Sequence, residues 1–286
     1  MNPEVTAFFH RPTWSVCYVV AESAGGRCCA IVDSVLDYDP KAGRIGTGFA
    51  DRVAEFVRGR GLEVVWHLET HAHADHLAAT PYLKEKLGGR IATGVYVTEV
   101  QRLWKAIYNL PDFPADGSQF DHLFRDGDRF QIGRLEGRVI HTPGHTPANV
   151  TYVIGDAAFV NDTILMPDFG TARADFPGGD ARQLYRSIRK ILALPPETRL
   201  FVGHDYMPGG REPAWEATVA EQRAKNAHLG GDCPEDDFVA LRTRRDATLD
   251  MPTLILHAVQ VNMNAGRLPP PEANGTSYFK IPLNRL

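Results

Sequence analysis

No apolar run in this chain approaches the roughly 20 residues that a membrane-spanning helix needs, so no membrane partner is expected. The opening Met1-Asn2-Pro3-Glu4-Val5 has neither a basic stretch nor an apolar one, which predicts no signal peptide and a cytoplasmic location. Charge of one sign is also scarce. A net charge of −4 over 286 residues gives no pull toward nucleic acid or an anionic surface, and no nucleic-acid partner is expected. Cysteine is sparse: Cys17, Cys28, Cys29 and Cys233, with no Cys-x-x-Cys spacing. That set excludes a Cys-based zinc site and a disulfide framework, and fits free thiols in a reducing compartment. Low-complexity linkers and internal repeats are missing too. The expectation is one domain over residues 1–286, with a helical extension from about residue 210 onward packed on it.

What is present reads as alternating strands and helices. Ser15 to Val20 and Cys28 to Val32 read as a hairpin turned at Gly25-Gly26, within a strand-rich stretch over 7–33. Asp33 and Asp37 to Asp39 read as solvated loop carboxylates. Phe49 to Arg58 has helical apolar spacing, and Leu62 to Leu68 reads as a buried strand. A helix is expected from Leu77 to Gly88, a short strand at 91–93, and a helix from Val97 to Leu110. Residues 111–122 read as a loop whose His122 is not a ligand, since nothing beside it chelates. Strands follow at 130–132, 137–141, 150–154 and 157–160, with Asp156 in the turn between the last two. Asp180 is expected to cap a helix from Ala181 to Leu194, ahead of a strand at 198–202. Amphipathic helices are expected over 214–229 and 235–249, then an apolar stretch at 254–261.

The chemistry concentrates in Thr70-His71-Ala72-His73-Ala74-Asp75-His76, just past the Leu62–Leu68 strand. Three imidazoles and one carboxylate separated only by alanine are hard to explain as surface or packing residues, and borderline metals prefer such donors. Alternate residues of an extended segment share a face, so His71 and His73 point one way while Asp75 and His76 serve a second point. Downstream, Pro143-Gly144 forces a tight turn that aims His145 back. His141 reads as a packing residue or a support to a ligand.

Thr-His-x-His-x-Asp-His resembles the signature of the metallo-β-lactamase fold. The resemblance implies an α+β architecture, a four-layered αββα sandwich with metals at one edge of its two sheets. Thr142-Pro143-Gly144-His145-Thr146 resembles the family's second motif, Asn161-Asp162-Thr163 its metal-binding aspartate, and Gly203-His204-Asp205-Tyr206 its last ligand. Seven ligand positions are thereby filled: His71, His73, Asp75, His76, His145, Asp162 and His204. Two arrangements stay open. In one, His71, His73, His145 and Asp162 hold a first metal and Asp75, His76, Asp162 and His204 a second, which activate a water for hydrolysis. In the other, two histidines and one carboxylate hold a single Fe(II) with open positions, the facial-triad pattern.

Over most of residues 14–271 the chain resembles two glutathione-using branches of that family, the glyoxalase II thioesterases and the persulfide dioxygenases. It is most similar to the β-lactamase-like subgroup found with bacterial sulfide-responsive genes. The segments that carry this are Gly170-Thr171-Ala172-Arg173-Ala174-Asp175-Phe176, Gly203 to Tyr206, and Asn262 to Pro269. The dioxygenase branch implies one Fe(II) per chain on His71, His145 and Asp162. His73, Asp75, His76 and His204 then either support those ligands or keep the remains of a second site. It implies a low-molecular-weight thiol or persulfide substrate together with O₂, and glutathione contacts at Arg173 and Tyr206. Arg173 suits a carboxylate, with an ion pair to Asp175 or Asp168 as the alternative. Thr171 stands where the best-known members carry Cys. The thioesterase branch implies one or two Zn²⁺ per chain. No catalytic residue beyond the metal centre is expected, and a homodimer is left open.

Overall fold

The computed structural model describes residues 1–23, 25–230 and 232–286. In chain order, β1 (Glu4–His10), β2 (Ser15–Ala21), β3 (Cys28–Val32), β4 (Val35–Asp39) and β5 (Arg44–Gly46) lead into helix α1 (Gly48–Gly59). Then come β6 (Glu63–Leu68), β7 (Leu77–Ala78), α2 (Thr80–Leu87), β8 (Arg90–Gly94), α3 (Val97–Ile107) and β9 (His122–Phe124). The second half holds β10 (Arg129–Ile132), β11 (Leu135–His141), β12 (Val150–Ile154), β13 (Ala157–Asn161), α4 (Ala181–Leu192), β14 (Arg199–Val202) and β15 (Glu216–Thr218). Three helices end the chain: α5 (Val219–Lys225), α6 (Glu235–Asp246) and α7 (Ile255–Asn262).

One six-stranded sheet runs β1-β2-β3-β6-β8-β9 and a second β10-β11-β12-β13-β14-β15. Their facing sides share one core. Val16, Tyr18, Val20, Trp66, Leu68 and Phe124 from the first meet Val139, Tyr152, Phe159 and Phe201 from the second. The alternate residues of β2, Cys17 and Val19, face the other way, onto α1 and α7 through Val53, Val57, Ala258 and Val261. A strand buried on both faces reads as a near-continuous apolar run, as β2 does from Val16 to Ala21. Behind the second sheet, Ala158, Leu200 and Val202 pack on Leu184, Ile188, Val219 and Phe238 of α4, α5 and α6. The expected αββα layering is present, and the C-terminal helices are divided between the two outer layers rather than gathered on one side.

The β2–β3 pairing is antiparallel, Ala21 opposite Cys29, and Asp180 caps α4 by accepting from Gln183 N. Several boundaries differ from expectation. Leu77 and Ala78 pair with β4 instead of opening a helix, and α2 starts at Thr80, where Pro81 fits the first turn. The helix expected over 214–229 is shorter: Glu216–Thr218 pairs with β14, and helix begins only at Val219, after the N-cap Thr218, whose capping box closes with Glu221. His122 lies on β9, not in a loop, against Trp66 and Phe124. Asp37 to Asp39 belong to β4, and Asp37 Oδ2 accepts from Phe49 N at the start of α1. No helix among the described residues is long and apolar enough to cross a membrane.

Candidate metal centre

The parallel strands β3 and β6 end side by side, Val32 opposite Leu68. The loop after β6 carries His71, His73, Asp75 and His76 along the edge shared by both sheets. Core tyrosines fasten that edge: Tyr152 OH donates to Glu69 O at 3.0 Å and Tyr18 OH to Val202 O at 2.5 Å. From the C-terminal side, Asn262 Nδ2 donates to His73 O at 2.8 Å and to His76 O at 2.7 Å.

Asp162 follows β13, beyond a bulge in its pairing with β14. Its Oδ2 lies 3.8 Å from His71 Nε2 and 3.6 Å from His145 Nε2. His145 reaches this point because Gly144, at φ 134°, takes a turn in which any Cβ would strike the Leu184 backbone. His145 Nδ1–H then donates to Arg173 O at 2.8 Å, which leaves Nε2 facing Asp162. All three side chains are buried. Burial, then the neighbouring His73 and His145 rings, holds the His71 pKa well below its ordinary value, so its lone pair stays free.

The remaining four expected ligands lie alongside. His73 Nε2–H donates to Asp33 Oδ1 at 3.0 Å, and its Nδ1 lies 4.0 Å from Asp75 Oδ1. Asp75 Oδ2 sits 2.9 Å from His76 Nδ1 and 2.7 Å from His204 Nε2, and His204 Nδ1 sits 2.6 Å from Asp162 Oδ1. All seven expected ligands therefore meet at one sheet edge.

A metal fits this set by an independent observation. His71 Nε2, His73 Nδ1 and His76 Nε2 are buried with no hydrogen-bond partner among the described residues. Leaving one such atom unmet costs about 1–3 kcal/mol, and several in one place call for a cation. Nitrogen and oxygen donors without thiolate suit iron or zinc.

Sequence reasoning missed three supports. Asp33, read as a solvated loop carboxylate, is 3% exposed and left-handed at φ 51°. It accepts from Thr70 N at 2.8 Å, from Thr70 Oγ1, from His73 and from Asn161 Nδ2. Asn161 Oδ1 in turn accepts from Asp162 N at 2.6 Å, so Asp33 braces both the histidine loop and the aspartate. Ser15, inside an apolar strand, places Oγ 2.8 Å from Asp75 Oδ2. Arg242 and Asp246 of α6 form a buried pair, with Nε to Oδ1 at 2.9 Å. Arg242 donates to Thr171 O at 3.0 Å and Asp246 accepts from Ala174 N at 2.9 Å, fixing the loop whose Arg173 carbonyl orients His145. Asp33 and Ser15 have no local sequence signal, because they act on residues far along the chain. Arg242 and Asp246 show the i,i+4 spacing of a helical ion pair, but their targets Thr171 and Ala174 lie 71 and 72 positions away.

In front of the centre lies a cavity of ≈ 620 Å³ that Trp14, Asp75, His145, Asp162, Arg173 and Tyr206 help to line. The Arg173 guanidinium forks onto Asp175 at 2.6 and 2.7 Å and donates to Asp250 O at 2.6 Å. The ion pair with Asp175 is thus formed, while Asp168 pairs with Arg211 instead. Tyr206 stacks on His204 with rings 6° apart and leans on Phe169. His141 stacks on Tyr96 and takes no part in the centre.

An αββα sandwich with a histidine and carboxylate centre at one sheet edge defines a class of metal-dependent enzymes. The model of the Metallo-beta-lactamase superfamily matches residues 11–204, and the chain belongs to that superfamily. It is 60% identical over 99% of its length to a Beta-lactamase hydrolase-like protein of Agrobacterium fabrum, and it covers 65% of that relative. It thus spans a little under two thirds of the length of such curated relatives. It is 51% identical to Glyoxylase B2 of Dictyostelium discoideum, covering 90% of this chain and 89% of that one. It is 33% identical to Persulfide dioxygenase ETHE1 of Bos taurus, over 78% of this chain and 77% of that one. Among solved structures it is similar to ETHE1 from Myxococcus xanthus, with a TM-score of 0.74 and 27% identity, covering 92% of this chain and 100% of that one.

Proposed function

We propose that the chain is a non-haem iron persulfide dioxygenase. It would convert a low-molecular-weight persulfide such as glutathione persulfide, with O₂ and water, to sulfite and the free thiol. The observation that carries this reading is the placement of Asp162 Oδ2 within 3.6–3.8 Å of two buried imidazole nitrogens, His145 Nε2 and His71 Nε2. Two histidines and one carboxylate on one side are the donor set of ferrous oxygenases. The likeness to persulfide dioxygenase relatives adds support.

His71, His145 and Asp162 would hold the ion. When bound, ferrous iron supplies the redox chemistry for oxygen transfer to sulfur. The chain's own part is geometric. The Arg173 carbonyl keeps a proton on His145 Nδ1 and so leaves Nε2 as the donor. Asp33 holds His73 and, through Asn161, the backbone of Asp162. The cavity wall of Trp14, Phe169, Phe176 and Tyr206 admits an organic persulfide and keeps bulk water from the sulfur. Tyr206 is assigned to the thiol carrier. Arg173 is assigned to the same substrate by shaping the cavity wall, its side chain being engaged by Asp175 and Asp250.

A second reading, a dinuclear zinc thioesterase, is favoured by one observation. His73 Nδ1 and His76 Nε2 are also buried without partners, as a second metal would require. The 51% identity to Glyoxylase B2 points the same way. The separating experiment is metal analysis of protein as isolated, followed by O₂ uptake with glutathione persulfide and hydrolysis of S-lactoylglutathione. One iron and O₂ consumption support the dioxygenase; two zincs and O₂-independent hydrolysis support the thioesterase.

A further inference from the structure

We propose that the Ser15 hydroxyl closes the Asp75–His76–His204 half of the centre and thereby limits the chain to one tightly held metal ion. The proposal rests on the one-metal reading above and assigns its cause to a residue outside the ligand set.

Ser15 is 2% exposed and opens β2, and it is bridged to His204 across the sheet edge. Its Oγ lies 2.8 Å from Asp75 Oδ2, 3.2 Å from His76 Nδ1, 3.2 Å from His204 Nε2 and 2.7 Å from Thr13 Oγ1. A hydroxyl has one hydrogen to give and two lone pairs. It donates to Asp75 Oδ2, while Thr13 Oγ1 at 2.7 Å and the His76 Nδ1 and His204 Nε2 nitrogens at 3.2 Å lie around its lone pairs. Asp75 Oδ2, His76 Nδ1 and His204 Nε2 thus sit around this oxygen, and His76 Nε2, the other ring nitrogen, does not touch it.

Spacing separates the two halves. Donor atoms about 2.1 Å from a metal lie about 3.0–3.4 Å from one another. Asp162 Oδ2 stands 3.8 Å from His71 Nε2 and 3.6 Å from His145 Nε2, wide enough to draw in on an ion. Asp75 Oδ2 is only 2.7 Å from His204 Nε2 and 2.9 Å from His76 Nδ1, hydrogen-bond distances that a cation would have to open.

The backbone around Ser15 is built to hold the hydroxyl there. Trp14, directly before it, is left-handed at φ 56°, a conformation that costs a bulky residue energy. It is kept by Asp205 N donating to Trp14 O at 3.1 Å and Val16 N donating to Gly203 O at 2.8 Å, both across to the His204 segment. These bonds hold the start of β2, and Ser15 with it, against the His204 segment.

The test is metal stoichiometry, independent of turnover. Metal-free wild type, Ser15→Ala, Ser15→Gly and Ser15→Thr are loaded without oxygen with excess Fe(II) or, separately, Zn(II), then desalted and measured for metal per chain. Thermal melts check that each variant folds, and glycine offers a second deletion of the oxygen should alanine disturb the strand. The expected ratios are one for wild type and Ser15→Thr, which keeps the hydroxyl, and two for Ser15→Ala and Ser15→Gly. A ratio of one in wild type and in folded deletion variants overturns the role of Ser15 alone. A ratio of two in wild type overturns it together with the one-metal reading.

Discussion

The two halves of the centre share one aspartate, yet they are built differently. His71 Nε2 and His145 Nε2 face Asp162 Oδ2 across gaps of 3.8 and 3.6 Å, and this side is held from behind by the Arg173 carbonyl, Asp33 and α6. Asp75, His76 and His204 are tied to each other and to Ser15 at 2.7–3.2 Å. The difference teaches that donors of the same kind can stand in unlike surroundings along one sheet edge. His76 Nε2 and His73 Nδ1 stay without partners even so.

That contrast can be broken most severely at the shared aspartate. Asp162→Ala should lower Fe(II) affinity by more than about 100-fold, whereas His76→Ala should cost under about tenfold, read by chelator competition. Equal losses would erase the distinction between the halves. Next comes the clamp that serves only the first half. Asp246→Ala strands Arg242, 1% exposed, and should cost about 3–5 kcal/mol in urea unfolding. Asp33→Asn keeps the shape but weakens the hold on His73 and Thr70, and should reduce metal affinity about 10- to 100-fold with a small change in melting.

The smallest effect lies outside both halves and serves as their control. Burial pushes the His67 imidazole down to about 4, and its Nε2–H donates to Gly88 O. Below the ordinary value of 6.5 the unfolded chain takes up a proton that the folded chain refuses until about 4. Stability from this group is therefore present above pH 6.5 and lost as pH falls toward 4. His67→Asn should flatten the pH dependence of unfolding in that window by about 2 kcal/mol and leave the metal ratio unchanged.

Much of this was legible in the chain itself. The Thr70–His76 cluster and the Pro143-Gly144 turn are local patterns, Asp162 and His204 came through the resemblance to the family's motifs, and the structure brings their side chains together. Asp33 was not legible, because its partners Thr70, His73 and Asn161 lie 37 to 128 positions away and a lone aspartate after a strand looks like any turn residue. Ser15 sat unseen in an apolar strand for the same reason. The short β15 was read as helix because its alternation spans only Glu216 to Thr218, and pairing with β14 overrides the helical spacing that follows.

The central claim is that His71, His145 and Asp162 would hold one ferrous ion at which O₂ oxidises a persulfide. Its most direct test is an oxygen electrode on wild-type protein loaded anaerobically with Fe(II) and given glutathione persulfide. The account predicts one iron per chain, one O₂ consumed per persulfide, and sulfite as product. No oxygen uptake at full ferrous occupancy, with S-lactoylglutathione hydrolysed by a two-zinc form, would contradict it.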